Sequence, residues 1–146
     1  MARDDFTFSF GFRVRYSEID GQSVVFNAHY LTYFDTAITE YMRALAYDYV
    51  GEVKRTGEDF HTVKTVVEYK APVYFDEEID VCCRVSRIGR SSMVFLLEIH
   101  PRGGDGLRTG GEVVWVNTDQ TTHKTMPVPA ALVGKIEAFE RTKPER

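Results

Sequence analysis

Between positions 28 and 46 the apolar residues Tyr30, Leu31, Phe34, Ala37, Ile38, Tyr41, Met42 and Leu45 recur at helical spacing. At ~100° per residue they fill an arc of about 140°, and His29, Thr32, Thr36, Thr39, Glu40 and Arg43 fall outside it. This segment is one long amphipathic helix, and the rest of the chain has to supply the surface that covers its apolar face. Asn27 is placed to cap its first turn, and Gly51 or Gly57 marks the loop beyond its end. The charged stretch 48–59, with two glycines, reads as a connection with room for a short helix.

The covering surface is β-structure. Residues 6–16 alternate, with Phe6, Phe8, Phe10, Phe12, Val14 and Tyr16 on one face and Thr7, Ser9, Gly11, Arg13 and Arg15 on the other, as in a half-buried strand. Asp20-Gly21-Gln22-Ser23 is a cluster of turn formers between that strand and the helix. Beyond the helix, strands are expected at 61–70, 78–88, 91–100 and 107–118, joined by short turns, and a terminal helix at 130–141. One strand, a long helix and then consecutive strands give an α+β fold: an antiparallel sheet with one helix against one face. A sheet covered by a single helix keeps exposed edges, and β-branched residues on both sides of these strands favour self-association.

The 146 residues suit a single domain, 1–146, with one core. Eighteen Lys and Arg against 22 Asp and Glu give a net charge of −4, which excludes a broadly basic nucleic-acid surface. No apolar run approaches the ~20 residues of a membrane span, and Met1-Ala2-Arg3-Asp4-Asp5 lacks the apolar stretch of a secretory signal, so a cytoplasmic location is expected. Cys82 and Cys83, adjacent in a strand, should point to opposite faces as free thiols. His29, His61, His100 and His123 are scattered singly, without zinc-ligand spacing. Neither a G-x-S-x-G nucleophile motif nor a glycine-rich phosphate loop is present.

Asp20 is the residue that could carry chemistry. It lies in a tight turn a few residues before the long helix, whose first N–H groups, near Asn27 and Ala28, form an electropositive end suited to an oxyanion. A carboxylate beside such a site is a minimal apparatus for hydrolysing an activated ester. An Asp before a helix is more often a turn or cap residue, so spacing alone leaves both roles open. His29 is the rival base, although its position off the apolar arc makes plain exposure its simplest state. Phe26, Tyr30, Tyr33 and Phe34 could line an acyl pocket, but at helical spacing Phe34 is better read as core.

The stretch from Arg13-Val14-Arg15-Tyr16-Ser17-Glu18-Ile19-Asp20 through Val25-Phe26-Asn27-Ala28-His29-Tyr30-Leu31-Thr32-Tyr33-Phe34-Asp35 resembles the opening of the 4-hydroxybenzoyl-CoA thioesterase and related acyl-CoA thioesterases of the hot-dog fold. Tyr69-Lys70-Ala71-Pro72-Val73-Tyr74-Phe75-Asp76-Glu77-Glu78, then Arg87-Ile88-Gly89-Arg90-Ser91-Ser92, then Val128-Pro129 continue it in the same order over almost the whole chain. The resemblance implies a curved antiparallel sheet wrapped around the helix, paired into homodimers or homotetramers with active sites at the subunit interface. It implies that Asp20 attacks the thioester carbonyl or activates water, while a backbone N–H at Asn27 polarises the carbonyl oxygen. Arg90 and, less securely, Lys124 fall where related enzymes hold CoA phosphates, Ser91 and Ser92 border that position, and His29 lies near the substrate. No cofactor is implied beyond the CoA that the substrate itself carries, and neither a nucleic-acid nor a membrane partner.

Two departures stand out. Ser23 replaces the glycine common three residues after the Asp, where positive φ costs glycine less, and Asn27 replaces a His or Tyr at the helix start. A non-catalytic module binding CoA or an acyl group stays open as an alternative, as does an acyl-thioester dehydratase or hydratase, although the local motifs that carry the catalytic His of those enzymes are absent.

Overall fold

The computed structural model describes residues 3–146. The long helix α1 runs His29–Ala44 and the short helix α2 runs Tyr49–Thr56. Strands β1 (Phe8–Arg13), β2 (Glu58–Tyr69), β3 (Glu78–Ile88), β4 (Ser92–Pro101) and β5 (Thr109–Asp119) make one antiparallel sheet in the order β1-β3-β4-β5-β2. Helix α3 spans Ala130–Phe139. Short loops join β3, β4 and β5 as a meander, whereas α1 and α2 separate β1 from β2 and send them to opposite edges. Among the described residues no helix is long and apolar enough to cross a membrane.

Period-two alternation builds the face against which α1 packs. Ile79, Val81, Cys83 and Val85 of β3 and Met93, Phe95, Leu97 and Ile99 of β4 point inward, all buried, and meet Tyr30, Tyr33, Phe34, Ala37, Ile38, Tyr41 and Met42 of α1. Cys82 lies on the opposite face, as its adjacency to Cys83 requires, near Arg3, Asp80 and Glu98. Burial pushes its thiol up to about 11 and that of Cys83 well above the ordinary value, so both stay protonated at neutral pH. Helix α3 is tied to the core through Glu140, which accepts from the Tyr41 hydroxyl (2.5 Å) and the Val85 N–H (3.1 Å).

The local expectations need four corrections. Tyr33 rather than Leu31 belongs to the buried face: Tyr33 stacks edge-on against Phe12 of β1 at 4.8 Å, and Leu31 is 43% exposed. Tyr16 leaves the strand face because β1 ends at Arg13 and residues 16–18 form a 3-10 turn. The N-cap of α1 is Ala28, and the Asn27 side chain makes no capping bond. Gly51 lies inside α2, while Gly57, with φ of +73°, ends it in the left-handed conformation that glycine adopts without strain.

Gly111 of β5 sets how deeply α1 sinks onto the sheet. A Cβ there would stand 2.6 Å from the Phe34 ring and 2.2 Å from the Val66 carbonyl oxygen. Backbone cannot yield as a flexible side chain can, so Gly111→Ala should lower unfolding stability by about 2–3 kcal/mol, read from urea denaturation. A change below about 0.5 kcal/mol would show that helix and sheet are not in this close contact.

Candidate active site

The turn at Asp20 is closed by its own backbone. Asp20 N–H donates to Val24 O (2.9 Å), Ser23 N–H to Asp20 O (3.0 Å), and the Gln22 N–H to Asp20 Oδ1 (2.8 Å). Ser23 takes φ of +61°, so the turn keeps its left-handed residue although serine replaces glycine. The flanking chain holds it there: Ile19 bridges Val25, Val24 bridges Tyr74, Val25 N–H donates to Val73 O and Phe75 N–H to Ser23 O. The 72–77 segment behind it is pinned by Arg108, which makes paired bonds to Glu77 (2.9 and 2.6 Å) and one to the Pro72 carbonyl (2.9 Å).

Glu18 joins this turn to α1. Its buried carboxylate accepts the Arg15 N–H (2.8 Å), the Arg15 guanidinium and the Tyr33 hydroxyl (2.9 Å), while its carbonyl accepts the Phe26 N–H (2.9 Å). Burial pushes the Glu18 carboxyl up, but the bonds from Arg15 and Tyr33 outweigh it and hold the group below its ordinary 4.5. Burial, and then Glu18 itself, raises the Tyr33 hydroxyl, which therefore stays a donor.

Asp20, Phe26, Asn27, Tyr30, Tyr69 and Pro72 line one open groove of about 370 Å³ where the start of α1 meets the end of β2. Asp20 Oδ2 has no partner among the described residues. The Asn27 and Ala28 N–H groups also donate to none of them, whereas the next one, of His29, is used by Phe26 O (2.9 Å). Asp20, with an unpartnered carboxylate oxygen, and Asn27, the first of two consecutive residues with unused N–H groups, therefore line one groove, an arrangement suited to a carbonyl that gains negative charge under attack. His29 is half-buried one residue beyond them, its ring 6.0 Å from that of Phe26. Tyr33 and Phe34 are core residues.

Arg90, Ser91, Ser92 and Lys124 are not in this groove. The β3–β4 turn is closed by a bond from Gly89 N–H to Ser92 O, and Asn117 N–H holds Ser91 O; exposed Lys124 sits in the turn after β5, its carbonyl held by Asp119 N–H. Both cations occupy the end of the sheet marked by Asn117, whereas the Asp20 groove lies at the end marked by Thr109, the partner of Tyr69. Eight residues of extended β5 separate the two ends, about 26 Å.

One long helix laid across a five-stranded antiparallel sheet is the arrangement of a hot-dog protein. Residues 22–107 match the thioesterase superfamily, and the chain belongs to that family. A putative esterase of Aquifex aeolicus is 26% identical over 83 residues, which cover 57% of this chain and 64% of its own length. An acyl-CoA thioester hydrolase of Escherichia coli O6:H1, YbgC, is 27% identical over 132 residues, 86% of this chain and 92% of that one. The crystal structure of a 1,4-dihydroxy-2-naphthoyl-CoA thioesterase from Synechocystis has the same fold, with a TM-score of 0.82 at 16% identity, covering 88% of this chain and 94% of that one.

Glu18, Tyr69 and Glu77 lie within the stretches that carry the resemblance, but their pairing with Tyr33, Asn27 and Arg108, which lie 15, 42 and 31 residues away, carried no signal in the sequence because only the fold closes those gaps. The Glu18 contacts generate a pH prediction. A carboxylate held below its unfolded value stabilises the fold above that value and loses its contribution as pH falls through the folded one. Glu18→Gln should therefore be less stable than wild type at pH 7, with the gap closing as pH drops below about 4.5, in thermal melts across pH 3–7. A gap independent of pH would show that the charge on Glu18 contributes nothing.

Proposed function

We propose that this protein hydrolyses acyl-CoA thioesters to the free acid and CoA. The observation that carries the reading is that Asp20, whose Oδ2 has no partner among the described residues, and Asn27, the first of two consecutive residues with unused N–H groups, line one groove. The thioester carbonyl lies between them. Asp20 either attacks the carbonyl carbon, giving an acyl anhydride that water then cleaves, or takes a proton from the water that attacks. In both routes the negative oxygen of the tetrahedral intermediate is held by the two N–H groups, and CoA leaves as a thiolate, a leaving group that needs no strong acid.

The CoA moiety requires a second subunit. Arg90 and Lys124 suit phosphates as exposed point charges, yet both sit at the far end of β5 from the groove of their own chain, about 26 Å along the strand. Strand β2 is a twelve-residue edge with no strand on its outer side among the described residues, and Val63 at its middle is 60% exposed. A two-fold axis near Val63 pairs two β2 edges antiparallel and sets the Tyr69 end of one subunit beside the Glu58 end of the other. Each groove then faces the cationic turns of the partner subunit, and the free edges are covered. His29 borders the same mouth. The name of the E. coli relative supports an acyl-CoA substrate.

Asp20→Asn keeps the volume and removes the charge. It should retain fold and oligomer size and lower kcat by about 100-fold or more in free-thiol release from short-, medium-, long-chain and aryl acyl-CoA esters. An unchanged kcat would overturn the mechanism. Arg90→Ala should raise KM about 5- to 10-fold with a smaller effect on kcat, since a phosphate contact is equal in ground and transition states. An unchanged KM would remove Arg90 from the CoA site.

A further inference from the structure

Tyr69 ends β2, and its hydroxyl donates to the Asn27 carbonyl oxygen at 3.1 Å, reaching from the sheet edge to the start of α1. Its ring stands edge-on to the buried Tyr30, with centroids 5.1 Å apart and planes at 83°, so a core residue fixes where the hydroxyl sits. The acceptor belongs to the peptide whose nitrogen is that of Ala28, one of the two N–H groups without a partner. A peptide that accepts a hydrogen bond at its oxygen becomes a stronger donor at its nitrogen, because successive bonds polarise one another.

We infer that Tyr69 is a positioning residue of the hydrolytic site, acting through the Asn27–Ala28 peptide to orient and strengthen the Ala28 N–H as an oxyanion donor. This inference rests on the thioesterase reading above. A purely structural role is carried by the ring against Tyr30, which phenylalanine preserves; the hydroxyl bond is what phenylalanine removes. The gain appears only where charge develops on the substrate oxygen, so it acts on kcat and not on ground-state affinity.

The test compares wild type, Tyr69→Phe and Tyr69→3-fluorotyrosine on one acyl-CoA ester that the wild type turns over, with the Ala28 amide resonance followed by NMR. Tyr69→Phe should lower kcat about 5- to 10-fold, with KM within about twofold of wild type, and should shift the Ala28 amide proton upfield. The fluorinated residue, which keeps the ring and sharpens the donor, should hold kcat at or above the wild-type value. Unchanged kcat in Tyr69→Phe, a change confined to KM, or an equal loss in the fluorinated protein would overturn the inference while leaving the thioesterase reading intact. Absence of turnover by the wild type on every ester would overturn both.

Discussion

Phe34 rests against the backbone of Gly111, and this contact fixes where α1 lies on the sheet. With the helix at that depth, Tyr41 reaches Glu140 on one side and Tyr33 reaches Glu18 on the other, so the terminal segment and the Asp20 turn are both registered on the same element. The start of the helix is thereby held at the end of the sheet where β2 and β5 finish and begin. A carboxylate placed there by a tight turn necessarily stands near unused helical N–H groups, which every helix start possesses. The site is a consequence of packing depth.

Backbone, more than side chains, builds the geometry around Asp20. The Asp20 turn is bridged to residues 73–75, which Arg108 anchors through Glu77 and the Pro72 carbonyl. Ser23 can occupy a left-handed conformation because its neighbours are bonded on both sides, and the cost of about 1 kcal/mol that an L-residue bears there is met by the surrounding bonds. Serine at this position thus leaves the turn closed.

Periodicity made much of the fold legible. The eight-position apolar stripe placed α1 within a residue or two at each end, and β3 follows its expected limits because its alternation is bounded by turn formers. Periodicity mistook Leu31 for Tyr33 because both lie at the margin of the helical arc, and only the position of Phe12 on β1 decides which margin is covered. Asn27 looked like a cap by residue type, yet the chain enters α1 through Ala28 in helical conformation, which leaves no role for the Asn27 side chain at the cap. The groove lined by Asp20 and Asn27 was readable from their closeness in sequence. The remoteness of Arg90 and Lys124 was not, because it depends on which ends of β3 and β5 coincide, a property of topology alone.

That remoteness makes subunit complementation the most direct test of a site shared across a two-fold. Asp20→Asn and Arg90→Ala proteins are each purified, then unfolded and refolded together so that subunits redistribute, and thiol release is followed at acyl-CoA well below the wild-type KM. In a mixed dimer one groove carries both substitutions and the other carries neither, so the mixture should recover about a quarter of wild-type activity, well above the mean of the two parents. Activity no higher than that mean would mean that Asp20 and Arg90 serve the same chain, and would contradict the shared site.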